Sequence, residues 1–269
     1  MAVIALQSAA SGLSALNTQL DVIANNLANV NTTGFKASRA NFQDLMYIER
    51  AQPGVENAFG DERPTGLYVG LGVKVSGTQV TFEQGAPLST DRPYDLMIDG
   101  MGFFRVRVED SLGPGGVAYT RAGNFALNSD GEIVLANDQG RRLDFGSTIP
   151  EDAISVTINA DGRVFVQQPG EAEPQELGQI EIATFVNPAG LKQVGENLFV
   201  ETAASGPEII GAPGEDNRGR ILQGHLENSN VDPTRELIEM IRTQRAFEMN
   251  SNSIRAADET LRSVAQLRR

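Results

Sequence analysis

The sequence predicts an α+β protein: long N- and C-terminal helices form a coiled-coil-like pair, and an all-β domain lies between them. Apolar residues recur every seven positions at both ends of the chain, which is the pattern of amphipathic helices that pack along a seam. Between the ends the apolar period changes to two, and glycine-rich turns separate short β-prone runs. Neither helix can bury its apolar stripe alone, so each needs the other or further copies of itself.

The N-terminal helix is predicted from about Val3 to Val30. Its two apolar rows are Leu6, Leu13, Leu20 and Leu27, and Ala9, Leu16, Ile23 and Val30. It ends in ANNLANVNTTGFK (24–36), where Asn25, Asn26, Asn29 and Asn31 precede Gly34 and Phe35. Asparagine is a poor helix former, so these four residues either fray the helix end or hydrogen-bond across a tight helix interface. Gly34 is expected to end the helix in the left-handed conformation.

The C-terminal helix is predicted to begin at Asp232 and Pro233, because aspartate is a good N-cap and proline suits the first turn. Its apolar row comprises Met240, Phe247, Ile254 and Leu261, with Leu237, Ala257 and Val264 beside it.

Four domains follow from these patterns. Residues 1–35 form the N-terminal helix, and residues 36–72 form a linker or projecting extended segment, because proline and glycine punctuate them. Residues 73–226 form the all-β domain, and residues 227–269 form the C-terminal helix. Within the β-domain, FALNSDGEIVL (125–135) and VTINADGRVFV (156–166) are each predicted to be a hairpin, since Asp-Gly between β-prone runs favours a tight turn.

Composition argues against several classes of function. A formal net charge of −13 disfavours nucleic-acid binding and docking on anionic membranes. The chain has no cysteine, which excludes disulfides and thiolate chemistry, and its one histidine, His225, is expected to be structural. We therefore predict no catalytic residues, no metal, no cofactor and no membrane insertion. The N-terminus lacks a basic segment ahead of its apolar residues, so cleavage of a secretory signal is not expected.

Several stretches resemble the flagellar axial proteins. ANNLANVNTTGFK (24–36) resembles the N-terminal signature of rod, hook and hook-associated proteins. GHLENSNVD (224–232) and EMIRTQRAFEMNSNSIRAADETL (239–261) resemble the matching C-terminal signature. PTGLYVGLGV (64–73), DLMIDGMGFFRV (95–106) and YTRAGNFALNSDGEIV (119–134) resemble the distal-rod member of the family, and residues 46–68 resemble the segment that separates it from the hook.

The resemblance implies a structural subunit of the bacterial flagellar basal body that polymerises helically into the hollow distal rod and transmits torque to the hook. It also implies export without signal cleavage by the flagellar export apparatus, and a rod that crosses the periplasm and outer membrane. The implied partners are the chain itself, the proximal rod and hook proteins, and the P- and L-ring proteins. The alternatives are a proximal-rod or hook protein, a secreted wall-acting hydrolase, and a β-adhesin tethered by a closed helical bundle.

We expect the apolar rows to supply the subunit packing, both within one subunit and between neighbours. The residues in question are Leu6, Leu13, Leu16, Leu20, Ile23, Leu27, Leu237, Met240, Phe247, Ile254, Leu261 and Val264.

Overall fold

A computed structural model describes residues 2–55, 62–170 and 173–267. Within them, two helices, α1 (Ala2–Ala28) and α2 (Pro233–Leu267), bracket a large region of short strands, which confirms the predicted α+β class. The chain divides into two compact units. Unit 1 contains Met1–Ala28, Ser38–Gln79 and Asp232–Arg269, and unit 2 contains Asn29–Ala37 and Val80–Val231. The predicted domain bounds at residues 35, 72 and 226 remain predictions.

Unit 1 holds both helices and two antiparallel strand pairs. The strands are β1 (Ser38–Asp44), β2 (Tyr47–Ala51), β3 (Leu67–Gly70) and β4 (Val73–Val80), of which β4 belongs to unit 1 as far as Gln79. β1 pairs with β4, and β2 pairs with β3 as a hairpin, so much of the stretch after Phe35 runs extended. α2 begins at Pro233, as predicted. Asp232 is its N-cap, since Oδ1 accepts hydrogen bonds from the backbone N–H groups of Thr234 and Arg235.

Unit 2 is built from short strands around a central six-stranded sheet. The first strands are β5 (Pro87–Ser89), β6 (Leu96–Asp99), β7 (Phe103–Arg107), β8 (Val117–Thr120), β9 (Phe125–Leu127), β10 (Ile133–Leu135), β11 (Ser155–Ile158) and β12 (Arg163–Gln167). The remaining strands are β13 (Gln175–Gln179), β14 (Ile182–Thr184), β15 (Lys192–Gly195), β16 (Leu198–Val200), β17 (Ile209–Gly211), β18 (Arg220–Gln223) and β19 (His225–Glu227). The central sheet has the order β15-β16-β8-β7-β14-β17. Smaller ladders join β9 to β10, β12 to both β11 and β13, β6 to β18, and β5 to β19.

The two faces of the central sheet bury separate apolar clusters. Neighbouring residues of β7 point to opposite faces, so Phe104 enters the larger cluster and Phe103 the smaller one. The larger cluster also contains Phe125, and its ring packs edge-on against Phe104 at a centroid distance of 5.3 Å. The smaller cluster is aromatic, with Phe82, Phe185 and Phe199 around Phe103.

Both predicted Asp-Gly hairpins are confirmed. In the first, β9 pairs antiparallel with β10, and Asn128 Oδ1 accepts hydrogen bonds from the N–H groups of Asp130 and Glu132. In the second, β11 pairs with β12 around Gly162, whose φ of 84° suits glycine.

The negative charge of the chain lies almost entirely in one unit. Unit 2 carries 23 acidic and 11 basic residues, a net charge of −12, whereas unit 1 carries 12 acidic and 11 basic residues, a net charge of −1. Electrostatic self-repulsion between copies therefore arises mainly from unit 2.

Candidate functional site: the helix pair and the terminal signatures

The apolar rows predicted from the sequence are only partly covered within unit 1. α1 and α2 pack against each other, and of the predicted packing residues Ile23 alone is fully buried, at 5% exposure. Leu237 and Leu261 are exposed, at 47% and 38%, and the side chain of Val264 lies outside the described side chains. The half-buried residues are Leu6, Leu13, Leu16, Leu20, Leu27, Met240, Phe247 and Ile254.

Two contacts fix how α1 and α2 are aligned. The Asn26 side chain lies beside the Glu236 carboxylate and acts to lower its pKa, and a Cβ placed on Gly12 would lie 2.7 Å from Asn250 Nδ2. Gly12 lies two heptads before Asn26 in α1, whereas Asn250 lies two heptads after Glu236 in α2. The two helices therefore run antiparallel. The same register places Gln19 opposite Thr243, midway between the two contacts.

The most buried face of the pair includes residues that the apolar pattern missed. These buried residues are the small residues Gly12 and Ala15 and the polar residues Asn26 and Thr243. A signal for them was present in the sequence, because Glu236, Thr243 and Asn250 recur every seven residues, beside the apolar row of α2. A polar row at heptad spacing next to an apolar row is typical of a specified helix interface.

Asn26 also ties α1 to β1 within unit 1. Its Oδ1 accepts a hydrogen bond from Ser38 N at 3.0 Å, and its Nδ2 donates to Ser38 O at 2.9 Å. The side chain is only 2% exposed, and it imitates a backbone pairing partner for the start of the strand. Asn25 and Asn31 are exposed, and Asn29 is half-buried in unit 2, so the four asparagines have different surroundings.

One side of α2 carries apolar residues that the described part of unit 1 leaves uncovered. Leu237, Ile238 and Ile241 lie within one turn of each other near its start, and each is about half exposed. Met249 is exposed further along the same side, whereas Leu261, also exposed, belongs to the row of Met240. Clustered apolar side chains of this kind indicate a surface that another molecule covers.

In unit 2 the two terminal signatures meet at a buried ion pair. Lys36 Nζ, from the N-terminal signature, lies 2.6 Å from Glu227 Oε1, from the C-terminal signature, and the side chains are 0% and 1% exposed. Arg121 supplies a second cation, with Nη1 3.3 Å from Glu227 Oε2. Gly85 N donates to Glu227 Oε1, and Lys36 Nζ donates to Glu83 O at 2.7 Å. Two buried cations thus share one carboxylate.

The electrostatics of this cluster follow from its burial. Loss of solvent lowers the pKa of Lys36, and the charge of Glu227 and its hydrogen bond with Lys36 oppose that change. Burial likewise lowers the pKa of Arg121, which Glu227 also opposes. The carboxylate of Glu227 is therefore what allows both cations to be buried in the charged state.

Asn230 binds the signatures together beside the ion pair. Its Oδ1 accepts a hydrogen bond from Ala37 N at 2.7 Å, and its Nδ2 donates to Thr81 O and Glu83 O at 2.8 and 3.1 Å. The amide oxygen of Asn230 thus contacts the backbone at Ala37, and its amide nitrogen contacts the backbone of the segment that contains Thr81 and Glu83. Phe35, next to these contacts, is half-buried, and its carbonyl faces Asn230 N at 3.4 Å.

Gly34 has the predicted left-handed conformation, with φ of 71°, but it does not end the helix. α1 ends at Ala28, and Gly34 follows after a turn, so that expectation was wrong. The glycine is needed because a Cβ there would lie 2.5 Å from the backbone nitrogen of Ala122. Its N–H donates to Glu227 O at 2.8 Å, which again joins the two signatures.

The described residues hold no group of histidine, cysteine and carboxylate side chains arranged to bind a metal ion. His225 Nδ1 lies 2.9 Å from the Gln223 carbonyl oxygen, a local hydrogen bond to the backbone. Across the described ranges, neither helix combines the length and the apolar character needed to cross a bilayer.

Three family models match the chain. The model described as flagella basal body rod protein matches residues 6–36, and the flagellar hook protein FlgE/F/G D1 domain matches residues 97–166. The C-terminal model of the flagellar basal body rod FlgEFG proteins matches residues 222–267. Together they include both signatures and much of unit 2.

Full-length relatives agree with these matches. The flagellar basal-body rod protein FlgG of Caulobacter vibrioides is 47% identical over 266 residues, which cover 98% of this chain and 99% of the relative. FlgG of Borreliella burgdorferi is 46% identical over 267 residues, 98% of each chain, and FlgG of Buchnera aphidicola subsp. Schizaphis graminum is 42% identical over 257 residues, 96% of each chain. The chain therefore belongs to the FlgG family of flagellar basal-body rod proteins and is a structural subunit of the flagellar rod.

Proposed function

We propose that copies of this chain polymerise helically through their terminal helices into the hollow distal rod, which transmits torque to the hook. The observation that carries the proposal is the uncovered apolar surface of the helix pair. Within unit 1, α1 and α2 cover each other only on one side, and Leu237, Ile238 and Ile241 stay exposed. Neighbouring copies of the same helix pair are the surfaces best matched to cover them.

The half-buried rows of α1 and α2 are proposed to complete their burial between subunits. Leu6, Leu13, Leu20 and Leu27 share one face of α1, and each retains partial exposure in the single chain. Full burial of such a side chain contributes on the order of 1.5–3 kcal/mol. A few of these residues per contact therefore suffice to hold neighbouring subunits, and ordering of the helix ends is coupled to assembly.

Residues 46–68 are proposed to stiffen the rod by lying between subunits. The β2–β3 hairpin exposes Met46, Tyr47, Leu67 and Tyr68. A two-stranded hairpin has little stability by itself, so these side chains favour a partner surface. Deletion of the segment should give a rod that bends more easily under the same load, and unchanged bending stiffness would contradict this role.

The proposed location is the part of the basal body that crosses the periplasm and outer membrane, reached through the flagellar export apparatus without signal cleavage. The proposed neighbours are the proximal rod and hook proteins along the axis and the P- and L-ring proteins around it. The resemblance supports these partners, and the role is mechanical rather than enzymatic.

Sedimentation velocity of the full chain and of two variants tests the assembly surface. Leu20→Asp places a charge on the apolar face of α1 and should abolish large particles, because a buried unpaired carboxylate costs several kcal/mol. Asn17→Asp adds the same charge at an exposed position of the same helix and should assemble as the parent does. Circular dichroism and near-ultraviolet spectra should show unit 2 folded in both. Assembly of Leu20→Asp at the parent level would refute the proposal.

A further inference from the structure

Apolar heptads alone leave the alignment of α1 on α2 undetermined. Leu13, Leu20 and Leu27 are identical at successive heptads, and Met240, Phe247 and Ile254 differ little in apolar character. If α1 slipped by one heptad, each row would still meet apolar residues of similar size. Some other feature must therefore select one stagger.

Two polar layers supply that feature. Asn26 lies beside Glu236 at one end, and Gly12 faces Asn250 two heptads away. A one-heptad slip in either direction would leave Asn26 or Glu236 without its partner on the facing helix. A buried polar group left unpaired costs about 1–3 kcal/mol, so the slipped alignments are disfavoured.

The geometry around Asn26 makes this layer directional. Its amide is oriented by two hydrogen bonds to the backbone of Ser38, which leaves one Nδ2 hydrogen for Glu236. The layer at Gly12 discriminates by shape instead, because Asn250 occupies the space that a side chain at position 12 would need. The layer of Asn26 and Glu236 thus stabilises the observed alignment. The layer at Gly12 provides space for Asn250 in that alignment.

We propose that these two layers, Asn26 with Glu236 and Gly12 with Asn250, form a register lock that selects one antiparallel stagger of the terminal helices. The inference rests on the proposed function, since the stagger determines which apolar residues each subunit presents to its neighbours. With these polar layers the pair of α1 and α2 is less stable than an all-apolar interface would be, but only one alignment of the two helices is favoured.

Disulfide trapping in the full chain tests the lock, and the absence of native cysteine makes the readout clean. Ala15→Cys with Ala246→Cys places both thiols in the observed register, because Ala246 flanks Phe247, the residue opposite Ala15. Ala15→Cys with Ser253→Cys is the matched pair one heptad out of register. Intramolecular bridges are distinguished from bridges between copies by non-reducing electrophoresis and mass spectrometry.

In the parent background the in-register pair should oxidise at least about tenfold faster, which corresponds to a preference of about 1.4 kcal/mol. Asn26→Leu with Glu236→Leu should reduce that ratio to near one while the helices remain paired. Asn250→Ala tests the second layer independently if the first variant folds poorly. Asn17→Ala with Gln244→Ala alters only exposed positions and should keep the parent ratio.

A parent without preference for the in-register pair, or layer variants that keep the full preference, would overturn the lock. Sedimentation of the same proteins separates this result from the proposed function. Chains that assemble but show no register preference lose the lock and keep the rod function. Chains that show the preference but never assemble keep the lock and lose the polymerisation proposal.

Discussion

Lys36 Nζ and Glu227 Oε1 are 2.6 Å apart in a site closed to solvent, although the two residues are separated by 191 positions in the chain. One belongs to the N-terminal signature and the other to the C-terminal signature. The pair therefore joins the beginning and the end of unit 2 across the whole length of the β-domain.

Replacement of Glu227 should destabilise unit 2 more than replacement of Lys36. Glu227→Gln leaves Lys36 and Arg121 buried without an anion, whereas Lys36→Met leaves Glu227 paired with Arg121. Breaking a buried pair costs about 3–5 kcal/mol, and Glu227→Gln should reach at least that range. Urea unfolding followed by circular dichroism measures both. Glu239→Gln, which removes the exposed pair with Arg242, should change stability by less than about 1 kcal/mol. An equal loss in both buried variants would contradict this account.

The amide of Asn230 should not tolerate exchange for a carboxylate. Asn230→Asp keeps the shape but removes the donor that bonds Thr81 O and Glu83 O, and it sets a negative charge against both carbonyls. We expect a loss of about 1–3 kcal/mol in the free energy of unfolding, because Thr81 O loses this donor and Glu83 O keeps only its bond from Lys36 Nζ. Asn228→Asp, an exposed position two residues earlier, should have little effect. A similar effect of the two variants in denaturant unfolding would argue against the role of Asn230.

Glu236 should make the helix pair more stable as the pH falls. Burial raises the pKa of this carboxyl, and the hydrogen bond from Asn26 only partly offsets the effect. The folded state therefore takes up the proton at a higher pH than the unfolded state. The cost of burying the charge is present above the folded-state pKa and disappears as the pH falls toward the unfolded-state pKa.

Glu236→Gln should accordingly raise the free energy of unfolding at pH 7, and the difference from the parent should shrink on acidification. Measuring both proteins in urea at several pH values isolates this residue from the other carboxylates. A difference that is constant with pH, or that grows in acid, would contradict the assignment.

Gly12 and Asn250 should be energetically coupled. Alanine is favoured over glycine in a helix interior by about 1 kcal/mol, but the new Cβ would press against Asn250 Nδ2. Gly12→Ala should therefore stabilise the chain clearly only when Asn250→Ala is also present. A double-mutant cycle from thermal unfolding measures the coupling, with Ser14→Ala as the exposed control on the same helix. Additive effects would show that the two positions do not touch.

Local patterns in the sequence predicted the features that depend on neighbouring residues. The N-cap at Asp232 and the two Asp-Gly hairpins arise from interactions within a few positions, so composition and spacing reveal them. The density of asparagines left fraying of the helix end and hydrogen bonding across a helix interface as alternatives, and Asn26 lies buried beside Glu236.

Features that depend on distant residues were not visible in the sequence. Nothing near Lys36 in the chain indicates that its partner is Glu227, because solvated and buried lysines look alike in a sequence. The sequence shows the apolar rows of the helices, but it does not show which polar residues meet at the interface between them. Burial of Gly12 and Thr243 depends on which faces meet, and apolar periodicity does not determine that.

The pairing of Lys36 with Glu227 also affects the order in which the parts of unit 2 fold. If the chain emerges from a narrow channel with its N-terminus first, Lys36 appears long before the carboxylate that makes its burial tolerable. Loop closure over such a separation is slow compared with hairpin formation, so the β-hairpins form early and unit 2 closes last. Until residue 227 arrives, the core keeps an open edge, and premature completion of the fold is prevented by the connectivity of the chain itself.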